Sequence, residues 1–562
     1  VSTGAIDPAL ESAARTWIEQ DPDEETRAEL RDLLDRGDAV TLHERFDAPL
    51  TFGTAGLRGV VGAGPGAMNR LVVRRTAAGV ADWVRAKGSD APAAGIVVGR
   101  DARRGSEAFA RDTVEVASAA GVAVHAFARP LPTPITAFAV RELHAAAGVV
   151  VTASHNPARD NGYKVYDEDG SQIIAPADQQ IEAASRRLAE RPAAPAESPG
   201  AVTAVDEAAL LATYCDGVLA LVDPAGPRDL SVVYTPLHGV GGAVTPALLE
   251  AAGFRVTVVP EQAAPDPAFP TVAFPNPEEP GALDLALALA ESADADLVVA
   301  NDPDADRLCI AVNDRGRWRA LSGDELGALL GDQLCSATVG PDRLVATTIV
   351  SSSMLQSIAE SHGVAFTQTL TGFKWLARAA HGTGRRLVFA YEEALGYAVS
   401  DAVADKDGMS AAVVACALAA RHKAQGTTLL GALDALAARH GVHLTAQVST
   451  RREGADGPEQ IAAIVESFRT APPETLGGIA VTEAADLALG YDGLPPTEGI
   501  LLRAGTQVRV VVRPSGTEPK LKAYIEVVTA PPGPDGLAAA RHGAGDLLAV
   551  VRGEIAERCD PS

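Results

Sequence analysis

The sequence predicts an α/β protein of three similar strand–helix units followed by a distinct fourth. Short β-branched runs alternate with helical patterns at the spacing of right-handed βαβ units, which build mostly parallel sheets. A chain of 562 residues, at about 150 residues per domain, has room for about four domains. With 47% hydrophobic and 22% charged residues it can fill several cores, and with only 4% aromatics those cores must be largely Val, Leu, Ile and Ala. The boundaries fall at 1–207, 208–322, 323–452 and 453–562.

Taken in order, residues 8–37 read as acidic surface helices that extend the first domain. The stretch Thr51–Gly59 is glycine-rich and carries Arg58, a fixed cation beside backbone amides that can approach an anion closely. A helical pattern over Asn69–Lys87 leads to a strand over Gly95–Asp101. A helix over Ser106–Ala119 and a strand over Val122–Phe127 follow. The run Val149-Val150-Val151 is a buried strand, stopped by Thr152-Ala153-Ser154-His155-Asn156-Pro157. Pro157 has no ladder donor and biases Asn156 away from helix, so the chain turns there. Ser154 is thereby displayed at the carboxyl end of a strand, where open α/β sheets place their chemistry.

Residues 191–200 read as a linker or long surface connection. In the second unit Val232–Tyr234 runs into the Gly-rich turn 235–242, and Leu297–Ala300 ends in Asn301-Asp302-Pro303-Asp304-Ala305-Asp306-Arg307. In the third, Ala346–Val350 precedes Ser351-Ser352-Ser353, and Leu387–Ala390 ends in Tyr391-Glu392-Glu393-Ala394-Leu395-Gly396-Tyr397. The remainder includes Val508–Val512, leading into Arg513-Pro514-Ser515-Gly516-Thr517 with Lys520 and Lys522 close behind.

A formal net charge of −25 argues against nucleic acid and anionic membrane surfaces as partners. No run approaches the roughly 18 apolar residues of a membrane span. The first residues lack the basic start and apolar core of a signal peptide, and the five cysteines show neither metal spacing nor a disulfide framework. These features lead us to expect a cytoplasmic protein. In so acidic a chain, any phosphate site must be a local basic focus.

The loops carry the chemistry. Asp302, Asp304 and Asp306 alternate just past a strand, and in an extended backbone they point the same way and converge on one hard cation. An EF-hand is excluded, because its Gly and Glu positions hold Arg307 and Asn313. Mg²⁺ fits better, since it shares carboxylates with a phosphate oxygen, which a phosphorylated Ser154 would supply. Arg307 beside the aspartates suits stabilisation of a transferring phosphoryl group. Ser154 lacks the flanking glycines of a hydrolase elbow. Glu392 and Glu393 suit bidentate acceptance of sugar hydroxyls. Arg513, Ser515, Gly516 and Thr517, with Lys522, offer a guanidinium, hydroxyls and amides as a phosphate cradle.

Together these loops resemble those of the α-D-phosphohexomutase superfamily, in the family's order and along almost the whole chain. Thr-Ala-Ser-His-Asn-Pro at 152–157 is similar to its phosphoserine loop and Asp-Pro-Asp-Ala-Asp-Arg at 302–307 to its metal loop. Glu-Glu-Ala-Leu-Gly at 392–396 is similar to its sugar loop and Arg-Pro-Ser-Gly-Thr-Glu-Pro at 513–519 to its phosphate loop. The resemblance implies four domains around a central cleft, with the fourth a distinct α+β domain. It implies phosphate carried on Ser154, with Mg²⁺ between Ser154, Asp302, Asp304 and Asp306. It also implies a sugar bisphosphate, such as glucose 1,6-bisphosphate, as intermediate and activator. Arg58, His155 and Lys164 match positions near the transferring phosphate, and His155 or Lys164 would move the proton. Thr371, Gly372 and Lys374 in Thr-Gly-Phe-Lys-Trp and Lys406 in Asp-Lys-Asp-Gly, which the resemblance implies bind the sugar, and Ala394 where many hexose mutases have Ser, resemble one branch. That branch is related to phosphopentomutases and glucose 1,6-bisphosphate synthases. The expected activity is a mutase of 1- and 6-phospho hexoses (glucose or mannose), with pentose phosphate mutase and bisphosphate synthase as alternatives. The expected partners are sugar phosphates, and the expected state is a monomer or small homo-oligomer.

Overall fold

The computed structural model describes residues 6–53, 56–190, 196–452, 456–515 and 520–560. The chain divides into two compact units. One comprises Val1–Ala225, Ser231–Cys309 and Ala402–Val413; the other comprises Gly226–Leu230, Ile310–Asp401 and Val414–Ser562. Among the described residues no helix is long and apolar enough to cross a membrane.

The first unit opens with three helices, Pro8–Gln20, Glu24–Arg36 and Ala39–Phe46, where the sequence suggested helix only as far as residue 37. Asp7, Asp23 and Asp38 cap them, each carboxylate accepting a first-turn amide that has no helical partner. Leu10, Ala14, Trp17, Leu30, Leu33 and Leu42 bury their inner faces against Ala63 and Leu71. The main sheet has the order Leu57–Val60, Asp160–Asp167, Ala147–Val151, Ile96–Arg100, Val124–Ala126, Val202–Ala204. Ile96–Arg100 pairs in parallel with Ala147–Val151 and Val124–Ala126, as the alternation predicts. Asp160–Asp167 returns antiparallel on Ala147–Val151, and Leu57–Val60 is antiparallel to it in turn. The sheet is therefore mixed. Its apolar face (Ile96, Val98, Val149, Val151, Val165) packs against Val73, Val80 and Val84 of helix Arg70–Lys87 and Ile181 of helix Ala177–Glu190. A second set of parallel strands in this unit places Ser231–Thr235 between Arg255–Val258 and Leu297–Ala300.

The second unit holds a sheet with Arg343–Thr348 between Ala365–Thr369 and Arg386–Glu392, all parallel, and Gly396–Ala398 antiparallel at the edge. The C-terminal sheet differs in kind. Its six strands, from His443–Arg451 to Thr475–Leu476, pair only antiparallel. Helices Gly457–Thr470 and Gly533–Cys559 cover it, packing Ile464, Phe468, Val551 and Ile555 on Val508, Val510, Val512 and Ile525. This is the distinct fourth element of the fold.

Candidate active site

In the first unit the chemistry gathers where parallel strands end. Ser154 follows Ala147–Val151, and its φ of 52° puts a non-glycine residue in the left-handed region, a strained conformation that neighbours must hold. Thr152 Oγ1 accepts the Ser154 amide at 2.9 Å. Ser154 is buried, and its Oγ donates to Asp302 Oδ2 at 2.7 Å and lies 3.3 Å from His155 Nδ1.

The three aspartates converge, but not along an extended backbone. Residues 303–305 turn, Ala305 has φ 56°, and its amide donates to Asp302 O at 2.9 Å. The loop is seated from two sides by glycines. A Cβ at Gly239 would stand 2.3 Å from Pro303 Cα, and one at Gly408 would stand 2.1 Å from Arg307 O. Neither position can carry a side chain while the loop keeps this path.

Asp302, Asp304 and Asp306 are fully buried and offer carboxylate oxygens within 4.8 Å of one another. Lys164 Nζ bridges Asp304 Oδ2 and Asp306 Oδ2 at 2.8 Å each, and Lys406 Nζ lies 2.9 Å from Asp306 Oδ2. Thr133 Oγ1, at the start of helix Thr133–Glu142, donates to Asp304 Oδ2 at 2.7 Å. Asp304 Oδ1 and Asp306 Oδ1 are buried without a hydrogen-bond partner among the described residues. Buried carboxylate oxygens left so are costly, and a hard cation that takes oxygen ligands satisfies them. The donor set therefore fits a divalent metal.

The electrostatics agree. Burial, with Asp304 and Asp306 beside it, pushes the Asp302 carboxyl well above its usual range. Burial acts the same way on Asp304, but Lys164 outweighs it and holds that carboxyl well below. On Lys164 burial favours the neutral amine, yet Asp304 and Asp306 win and keep it protonated. His155 is pushed well below the usual imidazole value by burial, then by Arg307 and Arg58. It is held neutral. Arg58 Nη1 donates to Asn156 Oδ1 at 3.3 Å, and the Arg307 amide donates to Asp302 Oδ1 at 3.0 Å.

Lys406, implied by the resemblance to bind the sugar, pairs here with Asp306. Sequence reasoning did not find Thr133, Gly239, Gly408 or Arg103, whose guanidinium reaches the carbonyls of the Ser154 loop. The one available signal for Arg103 was its place just past a strand ending in Arg100-Asp101.

The second unit positions the remaining loops. Strand Arg386–Glu392 delivers Glu392, which is buried, and Glu393. Glu393 Oε2 accepts from Ser351 Oγ at 3.1 Å and Thr348 Oγ1 at 3.3 Å, so the end of strand Arg343–Thr348 and the turn after it orient that carboxylate. Burial, then Glu392 and Asp324, push the Glu393 carboxyl up to about 7. Thr371 and Gly372 precede the short helix Phe373–Leu376 that carries Lys374, and the Thr371 hydroxyl is buried with no partner among the described residues. Arg513 is the penultimate residue of strand Val508–Pro514 and is paired across the ladder with Lys522, while the Ser515 amide donates to Lys520 O at 2.8 Å. Gly516 and Thr517 lie outside the described residues.

The phosphoglucomutase/phosphomannomutase family models match alpha/beta/alpha domain I over residues 49–192, domain II over 212–316, domain III over 322–437 and the C-terminal domain over 452–531. A probable phosphomannomutase of Haemophilus influenzae is 39% identical over 82% of this chain and 93% of its own. Human phosphopentomutase is 35% identical over 94% of this chain and 92% of its own. Mouse glucose 1,6-bisphosphate synthase is 35% identical over 93% of this chain and 91% of its own. The matched domains run in the order in which the four loops occur, and the chain belongs to the phosphoglucomutase/phosphomannomutase family of phosphosugar mutases, which are isomerases.

Proposed function

We propose that this mutase interconverts 1-phospho and 6-phospho hexoses, glucose or mannose, by way of a phosphoryl group on Ser154 and a sugar bisphosphate. The observation that carries the reading is the contact of Ser154 Oγ with Asp302 beside the two unpartnered oxygens of Asp304 and Asp306. Mg²⁺ would be held by Asp302, Asp304, Asp306 and the Ser154 phosphate, where it would neutralise the phosphoryl oxygens.

The phosphoryl group leaves Ser154 Oγ for the free hydroxyl of the sugar monophosphate, so one O–P bond breaks at serine and one forms at the sugar. The hydroxyl proton goes to a protein base. His155 and Lys164 both lie near Ser154, and their environments support the assignment of that role to His155. Lys164 is held protonated between two carboxylates, so it neutralises charge. His155 is held neutral beside Ser154 Oγ, so it has the lone pair to take the sugar hydroxyl proton and deliver it to Ser154 Oγ as the serine oxygen leaves, with the reverse transfer when the other phosphate returns. Arg58 and Arg307 stabilise the transferring group. The bisphosphate then reorients, and its other phosphate returns to Ser154. Glu392 and Glu393 accept sugar hydroxyls, joined by Thr371, Gly372 and Lys374. Arg513, Ser515, Gly516, Thr517 and Lys522 cradle the phosphate that is not transferred. Lys406, through Asp306, fixes the metal loop.

A second reading is pentose phosphate mutation, favoured by Ala394, which has no hydroxyl for the sugar where many hexose mutases have one. Turnover of glucose 1-phosphate, mannose 1-phosphate and ribose 1-phosphate, side by side with Mg²⁺ and a trace of sugar bisphosphate, decides between them. The hexose reading expects kcat/KM for a hexose at least about tenfold above that for ribose 1-phosphate. A preference for ribose 1-phosphate reverses the assignment.

A further inference from the structure

The loop that carries Ser154 turns its carbonyls inward, onto one side chain. Arg103 lies in the turn between strand Ile96–Arg100 and helix Ser106–Ala119 and is 4% exposed. Its Nη2 donates to Ser154 O and Asn156 O at 2.5 Å each, and its Nη1 donates to Pro157 O at 2.8 Å and Asp160 O at 3.2 Å. A planar guanidinium with five donors in a fixed fork can serve several carbonyls at once; a lysine ammonium cannot reproduce that geometry.

The guanidinium is itself held. Asp101 Oδ2 lies 3.4 Å from its Nε, and Asp101 Oδ1 accepts the Arg103 amide at 2.9 Å and Ser106 Oγ at 2.6 Å. One face of the group lies over the Phe269 ring, 4.9 Å from its centroid. Both peptide groups flanking Ser154 are therefore pinned, the amide by Thr152 and the carbonyl by Arg103. These two contacts hold the left-handed φ that aims Oγ at Asp302.

We infer that Arg103 is the positioning residue for phosphoryl transfer: it fixes the Ser154 loop through four of its carbonyls and touches neither the sugar nor the transferring phosphate. The inference rests on the reading of Ser154 as the phosphoryl carrier. It separates the two aspects of the reaction, because an arginine that holds only this loop governs transfer to and from serine and leaves sugar binding to other residues.

The test is steady-state kinetics of Arg103→Lys and Asp101→Asn in the full-length protein, with thermal melts of each and Ser154→Ala as reference. Arg103→Lys is expected to lose about 100-fold in kcat, the scale of a misplaced reacting group, with KM for hexose 1-phosphate within about threefold. Asp101→Asn is expected to lose less in kcat, again at unchanged KM. A merely structural role would lower the folded fraction and scale activity with it, leaving kcat per folded molecule unaltered. Arg103→Lys with wild-type kcat, or a loss matched by the unfolded fraction, overturns the inference. Should Arg103→Lys not fold, Asp101→Asn decides: reduced kcat at constant KM supports the inference, and unchanged kcat overturns it. If Ser154→Ala keeps full turnover, the phosphoserine reading itself fails; if it is inactive while the Arg103 and Asp101 variants turn over normally, only the positioning role fails.

Discussion

Asp304 and Asp306 each turn one carboxylate oxygen onto a lysine and leave the other, buried, without a partner among the described residues. The two ammoniums offset part of the negative charge and leave one oxygen of each carboxylate for a cation. This division predicts a measurable dependence on metal. Anything that binds only the folded protein stabilises it by RT ln(1 + [L]/Kd), which is about 2.7 kcal/mol at a hundredfold excess over Kd. Adding Mg²⁺ to the EDTA-treated protein is expected to raise the melting temperature by a few degrees. Asp306→Asn should lose most of that rise. Equal melting temperatures in EDTA and Mg²⁺ would contradict the assignment of these oxygens as ligands.

At the scale of elements, strands Val508–Pro514 and Lys520–Val528, which flank the proposed phosphate loop, carry a buried ion pair. Arg509 Nη2 lies 2.8 Å from Glu526 Oε2, and Arg509 Nη1 donates to Ile349 O at 2.9 Å. Glu526 Oε1 accepts from Ser352 Oγ at 2.9 Å and from the Ser353 amide at 2.7 Å. Ile349 and Val350 meanwhile pack on Leu501, Val511 and Tyr524. The same serine loop supplies the Ser351 hydroxyl to Glu393, so these strands and the proposed sugar loop share a support. Burial disfavours the Glu526 carboxylate, but Arg509 and His443 overcome it and bring its pKa from 4.5 down to about 2. A folded-state value below the unfolded one contributes stability that is present in full above about 4.5 and lost as pH falls through about 2. Glu526→Gln is expected to cost about 3–5 kcal/mol at pH 7, because it leaves Arg509 buried without its counter-charge, and to flatten the acid limb of the stability profile. Chemical denaturation of both proteins from pH 3 to 7 measures this; parallel profiles would contradict it.

Elements were legible in the sequence wherever a β-branched run met polar or glycine-rich punctuation, as at Val149–Thr152 and Leu297–Asn301. Side-chain type and local order are enough to place a loop at a strand end. How the loop is held there was not legible. The aspartates converge through a turn with a left-handed Ala305, a conformation for which alanine gives no signal. Arg103 meets carbonyls more than fifty residues along the chain, and carbonyls look alike in every sequence. The tight seats at Gly239 and Gly408 follow from three-dimensional approach alone.

The whole molecule carries a net charge of −25 while acting on phosphorylated sugars. The first unit resolves that conflict locally. Lys164 and Lys406 sit on the aspartates, while Arg58 and Arg307 act electrostatically on His155 beside Ser154. Short-range balance at a buried site outweighs a distant surface field that salt screens within about 10 Å. On the proposed reaction one serine, Ser154, is the carrier, and the most direct test follows its phosphate. The protein is incubated with sugar bisphosphate bearing labelled phosphoryl groups, freed of small molecules, and chased with unlabelled hexose 1-phosphate in Mg²⁺. The account predicts close to one label per chain, located on Ser154 by peptide mapping and transferred to sugar in the chase. Label that is absent, sits on another residue, or is released only as inorganic phosphate would contradict it.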